Sequence, residues 1–404
     1  MSVESGIAQC WAVEGYTIVA AEVQEGKCYL DLEPHEQHLQ CSVCGSRDLV
    51  RRGTVQRQLR TLPIGRGPVL LRVPVQRVYC RRCQKLRQVA LGFAEPRRSY
   101  TRSFERLVLE LCEVMCLQDV AEYLQIGWDL VKEIYTRSLE QRRQSLNLRG
   151  LQKLAIDELN VGKGRFLSLV LDLESGAVVH VGSGKSGAAL AAFFTALKAS
   201  GAQIQAVAMD MSAAFQAAVR EQLPQAVIVF DHFHLVKLFN EKLTDFRRAC
   251  YREARDLLHK DVLQGTRWLL LKNPQNLDAQ KQEPQRLAEA LALNQPLATV
   301  YYMKEDLRQL WNQKSKADAD EFLFNWICRA NGSGIAMLQR FTKVLASHRS
   351  GILAWYDHRI STGPLEGLNN KIKTLQRQAY GYRDQHFFTL RIYALHEAKY
   401  ALTG

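Results

Sequence analysis

The sequence has no hydrophobic run long enough to cross a membrane. Its longest mainly apolar stretch, residues 188–197, is about half of the ~20 residues that a bilayer-spanning helix needs. The N-terminus also lacks the basic residues followed by an apolar segment that are typical of a secretion signal. We therefore expect a cytosolic protein with no membrane partner.

The composition shows none of the strong biases that exclude a folded core. Of the 404 residues, 47% are hydrophobic and 24% are charged, which excludes a disordered chain, collagen or a long coiled coil. At ~100–200 residues per domain, this length predicts about two to four domains. We expect small modules attached to one larger domain.

Acidic residues are scarce between residues 41 and 104. This segment carries 15 basic residues but only Asp48 and Glu95, whereas residues 1–40 carry one base and seven acids. Its net charge of +13 equals the formal charge of the whole protein. Because a guanidinium group grips phosphate through a planar fork, this Arg-rich segment indicates a nucleic-acid partner. A solubilising surface or a patch for anionic lipid is the alternative.

Disulfide bonds are not expected, because the cytosol keeps thiols reduced. Four of the ten cysteines nevertheless form two CxxC motifs, Cys41 with Cys44 and Cys80 with Cys83, separated by 35 residues. This layout is typical of a zinc ribbon, in which each motif supplies two thiolates to one structural Zn²⁺. Alternating apolar residues before Cys80 predict that an extended hairpin joins the motifs. Four buried free thiols are the alternative.

The apolar residues after this segment recur with a helical period and predict three short helices. The spacing of four of them is typical of a helix-turn-helix: Ala121, Ile126, Val131 and Ile134. Gln125 stands at the turn in place of the usual Gly. In this interpretation five residues face a major groove: Trp128, Asp129, Lys132, Tyr135 and Arg137. The alternative is an ordinary three-helix linker.

An α/β domain is predicted from Leu151 onward. Its order of elements, βββαβαβ, is typical of the RNase H-like fold, in which the first and fourth strands are parallel neighbours. That adjacency would bring Asp157 and Asp210 together. Because two neighbouring carboxylates are kept ionised most easily by a cation between them, the pair predicts a magnesium site.

Each of these aspartates also has a simpler interpretation. Acidic residues commonly end strands or cap helices, and Asp210 precedes a predicted helix. Asp231 also ends a strand, one strand further from Asp157. We interpret Asp231 and His234 as residues that support the metal site, with the alternative that Asp231 replaces Asp210 in it.

Amphipathic helices with Trp268 among their core anchors are predicted over residues 235–354. This all-helical insertion would separate the sheet from a final helix that starts at Pro364. Glu366 and Asn370 lie on the polar side of that helix, where a carboxylate and an amide could serve the metal site. The alternative is a Glu that only stabilises the helix dipole.

Taken together, these segments resemble insertion-sequence transposases of the ISL-three family, which are of the DDE type. The resemblance is carried by the two CxxC motifs and by residues 155–158 (AIDE), 208–212 (AMDMS), 230–234 (FDHFH), 269–274 (LLLKNP), 362–373 (TGPLEGLNNKIK) and 379–382 (AYGY). It implies that Asp157, Asp210 and Glu366 are a catalytic triad that holds two Mg²⁺ or Mn²⁺ ions. It further implies a bacterial, nucleoid-associated enzyme that cleaves and joins DNA strands.

The resemblance also implies double-stranded DNA partners, namely terminal inverted repeats and target DNA, bound by a homodimer or larger assembly. Phosphate contacts would set the position of the protein, and the recognition helix would read bases. The expected DNA contacts are Arg51, Arg52, Arg57, Arg60, Arg81, Arg82, Trp128, Lys132, Arg137, Lys373 and Arg377.

Six segments are predicted along the chain. They are an N-terminal segment (1–40), a zinc ribbon (41–95), a helix-turn-helix module (96–150), the first part of the RNase H-like core (151–238), the helical insertion (239–355) and the C-terminal helices of the core with the catalytic Glu (356–404). Two other functions use the same modules. One is a non-catalytic zinc and helix-turn-helix regulator, and the other is an RNase H-like nuclease without strand transfer.

Overall fold

The structure is a computed structural model that describes most of the chain. The described residues are 13–35, 39–144, 146–254, 260, 262–263 and 266–395. They form two units, which divide between residues 145 and 146. Within the described ranges, no helix combines the length and the apolar character that a membrane crossing requires.

In the described part of the first unit, five strands form one sheet around a long hairpin. The strands are β1 (Tyr16–Gln24), β2 (Lys27–Pro34), β3 (Leu49–Ile64), β4 (Gly67–Cys80) and β5 (Lys85–Gln88). The order is β1-β2-β4-β3, and β5 also pairs with β4. β3 and β4 are the antiparallel arms of the extended hairpin that separates the two CxxC motifs.

The sheet extends further towards the N-terminus than the zinc ribbon predicted from residue 41. Residues 28–31 of β2 pair in parallel with residues 69–72 of β4. Leu30 and Leu32 are buried in the same core as Val69, Leu71 and Val73. The first strands therefore belong to the fold of the ribbon, because β2 pairs with β4 and both strands contribute to one hydrophobic core.

Three helices follow in the first unit, α1 (Arg102–Cys112), α2 (Leu117–Leu124) and α3 (Trp128–Gln144). The Thr101 side chain caps α1 by accepting a hydrogen bond from the backbone N–H of Phe104. Each helix buries one apolar side, as a helix-turn-helix requires. Tyr135 lies on the buried side of α3, so the prediction that it faces a groove was wrong. Gln125 joins α2 to α3 in the left-handed conformation, with φ of 54°. Gly would adopt this conformation more easily.

A second five-stranded sheet lies in the second unit. Its strands are β6 (Lys153–Asn160), β7 (Phe166–Asp172), β8 (Val178–Ser183), β9 (Ala206–Met209) and β10 (Val227–Phe230), in the order β10-β9-β6-β7-β8. β6 pairs with β7, and β7 with β8, antiparallel. β6 and β9 are parallel neighbours, as are β9 and β10. The first and fourth strands of this unit thus lie side by side.

Helices surround this sheet. They are α4 (Ala191–Ser200), α5 (Ala213–Gln222), α6 (His232–Glu253), α7 (Arg267–Leu271), α8 (Glu283–Leu293), α9 (Gln295–Leu307), α10 (Lys316–Gly332), α11 (Ala336–Leu353), α12 (Gly363–Gln378) and α13 (Gln385–Tyr393). The C-terminal helices predicted within residues 356–404 correspond to α12 and α13, and residues 396–404 lie outside the described part of the chain.

The helical segment predicted as an insertion, residues 239–355, shares one hydrophobic core with the sheet. A Cβ atom on Gly351 of α11 would lie 2.4 Å from the ring of Phe230, so this helix packs directly against β10. α6 crosses the predicted start of the insertion without a break. Trp326 is fully buried, but Trp268 is 65% exposed and is not the core anchor that we predicted.

Candidate active site and zinc centre

Three aspartates lie at one edge of three neighbouring parallel strands, with Asp157 inside β6 and with Asp210 and Asp231 directly after β9 and β10. Asp157 follows Ile156, which pairs with Met209. Asp210 follows Met209 directly, and the backbone N–H of Asp231 donates to the carbonyl of Met209 over 3.0 Å. The order of the strands therefore places Asp210 between the other two, at the edge where open parallel sheets bind ligands.

Asp157 is the most constrained member of the predicted triad. It is 9% exposed, and its carboxylate accepts hydrogen bonds from the Glu158 backbone N–H (2.8 Å) and the Asn369 side-chain amide (2.9 Å). Burial raises the pKa of Asp157, and the charge of Asp210 adds to this increase, whereas the positive charge of His234 opposes it. A cation beside this carboxylate would remove the cost of keeping it ionised.

A fourth carboxylate adjoins the same edge. Burial raises the pKa of Glu158, and the negative charges of Asp210 and Asp157 raise it further. Lys185, in the loop after β8, lowers it. The part of β6 next to Asp210 is thus a region of concentrated negative charge, and Lys185 lies near it.

Asp231 is a buried anchor whose oxygens already have donors. It is 3% exposed and accepts hydrogen bonds from the Phe233 backbone N–H (3.1 Å), His234 Nδ1 (3.2 Å) and the Thr362 hydroxyl. Burial by itself would raise the pKa of Asp231, but the bonds from His234, Thr362 and Phe233 lower it overall. The same bond to Asp231 raises the pKa of His234. These contacts disfavour the alternative in which Asp231 replaces Asp210.

Glu366 lies between two anchored residues of α12. Thr362, at the N-terminus of this helix, is bound to Asp231, and Asn369 is bound to Asp157. Glu366 is four residues after the first and three before the second, so all three side chains share one helix face. Glu366 itself is exposed. The two anchors hold the helix that carries Glu366 against the sheet.

The amide that supports this site is one residue from the predicted one. Asn370 is exposed, and its backbone carbonyl accepts from Thr374, whereas the buried Asn369 contacts Asp157. The signal was present in the sequence, because Asn369 lies on the apolar stripe of Leu365 and Ile372. A buried amide on such a stripe needs a polar partner.

The possible metal ligands at the strand ends suit a hard divalent cation, since each of them is a carboxylate or amide oxygen. The three predicted carboxylates stand further apart than the cysteines. In the ranges that the structure describes, only Cys41, Cys44, Cys80 and Cys83 form a group of three or more such ligands within 4.8 Å of one another.

The four cysteines have the geometry of a zinc site. Sγ of Cys41 lies 4.0 Å from that of Cys83, and Sγ of Cys44 lies 3.7 Å from that of Cys80. A tetrahedron of ~2.3 Å Zn–S bonds has edges of about 3.8 Å. Backbone N–H groups lower the pKa of Cys41 to about 6, so its thiolate forms readily. The cluster therefore fits one structural Zn²⁺.

Several expected DNA contacts are on the surface. Trp128 is 42% exposed, with Nζ of Lys132 5.2 Å from its ring centroid. The other exposed members of the predicted set are Arg51, Arg52, Arg81, Arg82, Lys373 and Arg377. Of these, Arg81 also lies 3.7 Å from Asp48 in an exposed ion pair.

Three other arginines of that set bind within the first unit instead. Arg57 donates to the backbone carbonyls of Glu95 and Arg98. Arg60 donates to the carbonyl of Leu124 over 2.9 Å and stacks on Phe104. Arg137 is bound by the Tyr100 hydroxyl and the Glu105 carboxylate. Arg60 thus connects β3 to the end of α2, Arg57 connects β3 to the segment before α1, and Arg137 connects α3 to α1. An arginine can satisfy backbone carbonyls and carboxylates as well as phosphates.

Comparison with known families identifies these modules. A sequence profile described as "Transposase", for the ISL3 transposases, matches residues 154–392. The "Helix-turn-helix domain of transposase family ISL3" matches residues 89–139, and the "zinc-finger of transposase IS204/IS1001/IS1096/IS1165" matches residues 38–83. The chain belongs to the ISL3 (ISL-three) family of transposases. The predicted family, zinc ribbon and helix-turn-helix are thereby confirmed.

Individual relatives agree with this assignment. The chain is 35% identical to the transposase for insertion sequence element IS1001 of Bordetella parapertussis, over 90% of each protein. It is 29% identical to the transposase for IS1557 of Mycobacterium tuberculosis, over 85% of this chain and 82% of that protein. A solved Drosophila P element transposase strand transfer complex aligns with a TM-score of 0.39 at 10% identity, covering 74% of this chain and 92% of the other. That score does not establish a shared fold.

Proposed function

We propose that this transposase cleaves DNA at the ends of an insertion sequence and joins them to target DNA in an RNase H-like core. The core comprises residues 151–238 and 356–404, with Asp157, Asp210 and Glu366 as its catalytic acids. The observation that carries this proposal is the position of Glu366 between Thr362 and Asn369. These two residues are hydrogen-bonded to Asp231 after β10 and to Asp157 in β6, the strands on either side of β9.

The topology of the second unit supports this core. Three antiparallel strands precede two parallel ones, and the first and fourth strands are neighbours. Asp157 and Asp210 therefore approach each other only because the chain crosses over through α4 between them. The residues between β10 and α12 pack on the same sheet and return the chain to it at Thr362.

The three acids would hold two Mg²⁺ or Mn²⁺ ions. When bound, such a pair activates the attacking hydroxyl and stabilises the leaving oxygen of the phosphodiester. The protein supplies the orientation. Asn369 holds one oxygen of Asp157, and the Asp231, His234 and Thr362 contacts hold the first turn of α12 against the sheet. Pre-organised ligands of this kind keep metals and reacting atoms in register.

The first unit would bind the terminal inverted repeats. We assign phosphate contacts to the exposed arginines of the ribbon and base contacts to the N-terminal part of α3, near Trp128 and Lys132. Lys373 and Arg377 lie on the exposed side of the helix that carries Glu366, where they would contact the reacting DNA. Because two element ends must react together, we propose a homodimer or larger assembly on DNA, at the bacterial nucleoid.

The test is strand cleavage and joining on labelled DNA that carries the element's own ends, with Mg²⁺ present. We expect Glu366→Gln to lose both reactions by about 10³-fold or more while it still binds the ends. The matched control is Glu221→Gln on α5, which is exposed and remote from the strand ends.

Each other outcome indicates either a different function or a different catalytic carboxylate. If the wild type binds the ends and cuts nothing, the protein is a regulator. If it cuts without joining, it is a nuclease. If Glu366→Gln remains active while the wild type cleaves and joins, a different carboxylate completes the site.

A further inference from the structure

A cavity of about 350 Å³ opens beside Asp210. It lies where the turn after β9 meets the first turns of α6. Its polar lining comprises Asp210, Ser212, His234, Lys237 and Glu241. The volume is at the lower end of the ~300–1,000 Å³ range of small-ligand sites, so it suits one nucleotide unit and not a duplex.

One wall of the cavity is formed by α6 and carries two basic side chains and one acidic one. His234, Lys237 and Glu241 are three and four residues apart, so they lie along one face of α6. His234 Nδ1 donates a hydrogen bond to the Asp231 carboxylate over 3.2 Å, and this bond raises the pKa of His234. Two potential cations of α6 thus face the carboxylate of Asp210 across this space.

Lys237 has no intramolecular role in the part of the chain that the structure describes. Its side chain is exposed, and no hydrogen bond or ion pair joins it to another described residue. Glu241 lines the same cavity one turn further along α6, yet the two charges are not within ion-pair distance among the described contacts. A lysine in this position is available to an anion from outside.

We propose that this cavity is a phosphate subsite for the DNA strand that reacts beside Asp210, with Lys237 and His234 as its donors. The inference rests on the proposed function, because it assumes that the reacting strand passes the catalytic acids. A phosphodiester that approaches this edge meets the charges of Asp157, Glu158 and Asp210. Lys237 offsets that repulsion on the α6 side and fixes the strand at a phosphate next to the reacting one.

The first test compares Lys237→Gln with Lys242→Gln in the full-length protein. Lys242 is exposed on the same helix but does not line the cavity. We expect Lys237→Gln to slow cleavage and joining by about 10- to 100-fold, with Lys237→Arg close to wild type and Lys242→Gln unchanged. Equal thermal midpoints of the variants would show that each is folded. Equal rates for Lys237→Gln and Lys242→Gln would overturn the proposal.

The second test asks whether Lys237 acts on DNA or on the protein itself. Single phosphates near the cleavage site are replaced by neutral methylphosphonates, one position at a time. We expect one position at which neutralisation slows the wild type but does not slow Lys237→Gln further. If the rate loss from the neutral phosphate and the rate loss from Lys237→Gln multiply at every position, Lys237 does not contact a phosphate.

A binding measurement separates failure of this inference from failure of the proposed function. If the wild type neither cleaves nor joins, the proposed function fails. The phosphate contact is then judged from the salt dependence of end binding, whose slope should fall by about 0.9 in Lys237→Gln but not in Lys242→Gln. An unchanged slope in that case would overturn the subsite as well.

Discussion

The zinc cluster and the carboxylate edge are assembled in opposite ways. Each CxxC motif places two thiols together within one turn, and a single hairpin then brings the two pairs within 4.8 Å of each other. The carboxylate edge joins residues that are far apart in the chain, such as Asp157 and Asn369, which are separated by 212 positions. A site made from local motifs depends on its metal, whereas a site made from distant elements depends on the packing around it.

The largest expected effect is on the zinc side of this comparison. Cys80→Ser should release zinc and unfold the hairpin that surrounds it, because structural zinc contributes roughly 10–16 kcal/mol to folding in isolated zinc modules. We expect loss of end binding together with loss of bound zinc, measured by metal analysis and gel shift. Asp157→Asn is the contrasting variant and should keep both. A zinc-free Cys80→Ser protein that still binds the ends would show that the hairpin folds without metal.

The next effect tests the distant contacts of the carboxylate edge. Asn369→Leu removes the amide that holds Asp157. Residues that support a metal ligand typically contribute about 10–100-fold to metal affinity or activity. We therefore expect cleavage to slow by about 10- to 100-fold and to need a higher Mn²⁺ concentration. Asn370→Ala is the control, because its side chain is exposed. Cleavage rates over a Mn²⁺ titration measure both quantities. A larger loss in Asn370→Ala would return the supporting role to the residue first predicted.

A smaller effect separates the two kinds of arginine in the first unit. Arg60→Met removes the bond to the Leu124 carbonyl, so we expect a loss of about 1–3 kcal/mol in the free energy of unfolding. Arg52→Met should change it by less than about 0.5 kcal/mol, since its side chain is exposed. Arg52→Met should instead weaken the dependence of end binding on salt concentration, lowering the slope by about 1. Urea unfolding and binding at several salt concentrations distinguish them, and equal stability losses would contradict the assignment.

The smallest effect concerns the turn between α2 and α3. Gln125→Gly should raise the free energy of unfolding by up to about 1 kcal/mol, because a left-handed conformation costs a non-Gly residue roughly 1–2 kcal/mol and Gly regains part of it. Gln118→Gly, within α2, should instead lower it by about 1 kcal/mol. Thermal unfolding of both variants provides the comparison. A loss of stability in Gln125→Gly would mean that the Gln side chain contributes more than the backbone strain costs.

Much of the architecture could be predicted because it depends on local patterns. Alternating and helical apolar periods predicted the long hairpin, the three helices and the order of strands and helices in the second unit. The main errors arose where tertiary contacts decide. Trp268 was expected in the core because it is large and apolar, but it is exposed. Arg57, Arg60 and Arg137, expected on DNA because they are basic, also contact groups of the protein itself, and their contact with DNA stays a prediction. Residue type does not specify which neighbour a side chain will meet.

The sequence by itself determined the family, the zinc ligands and the candidate catalytic acids, because motif spacing and strand order are local or periodic properties of the chain. Only the tertiary structure decided that Asn369, and not Asn370, contacts Asp157, that Thr362 and His234 bind Asp231, and that Lys237 opens onto a cavity beside Asp210. The physical reason is that a one-residue step along a helix rotates a side chain by about 100°, so the packing of α6 and α12 on the sheet selects which side chains reach it.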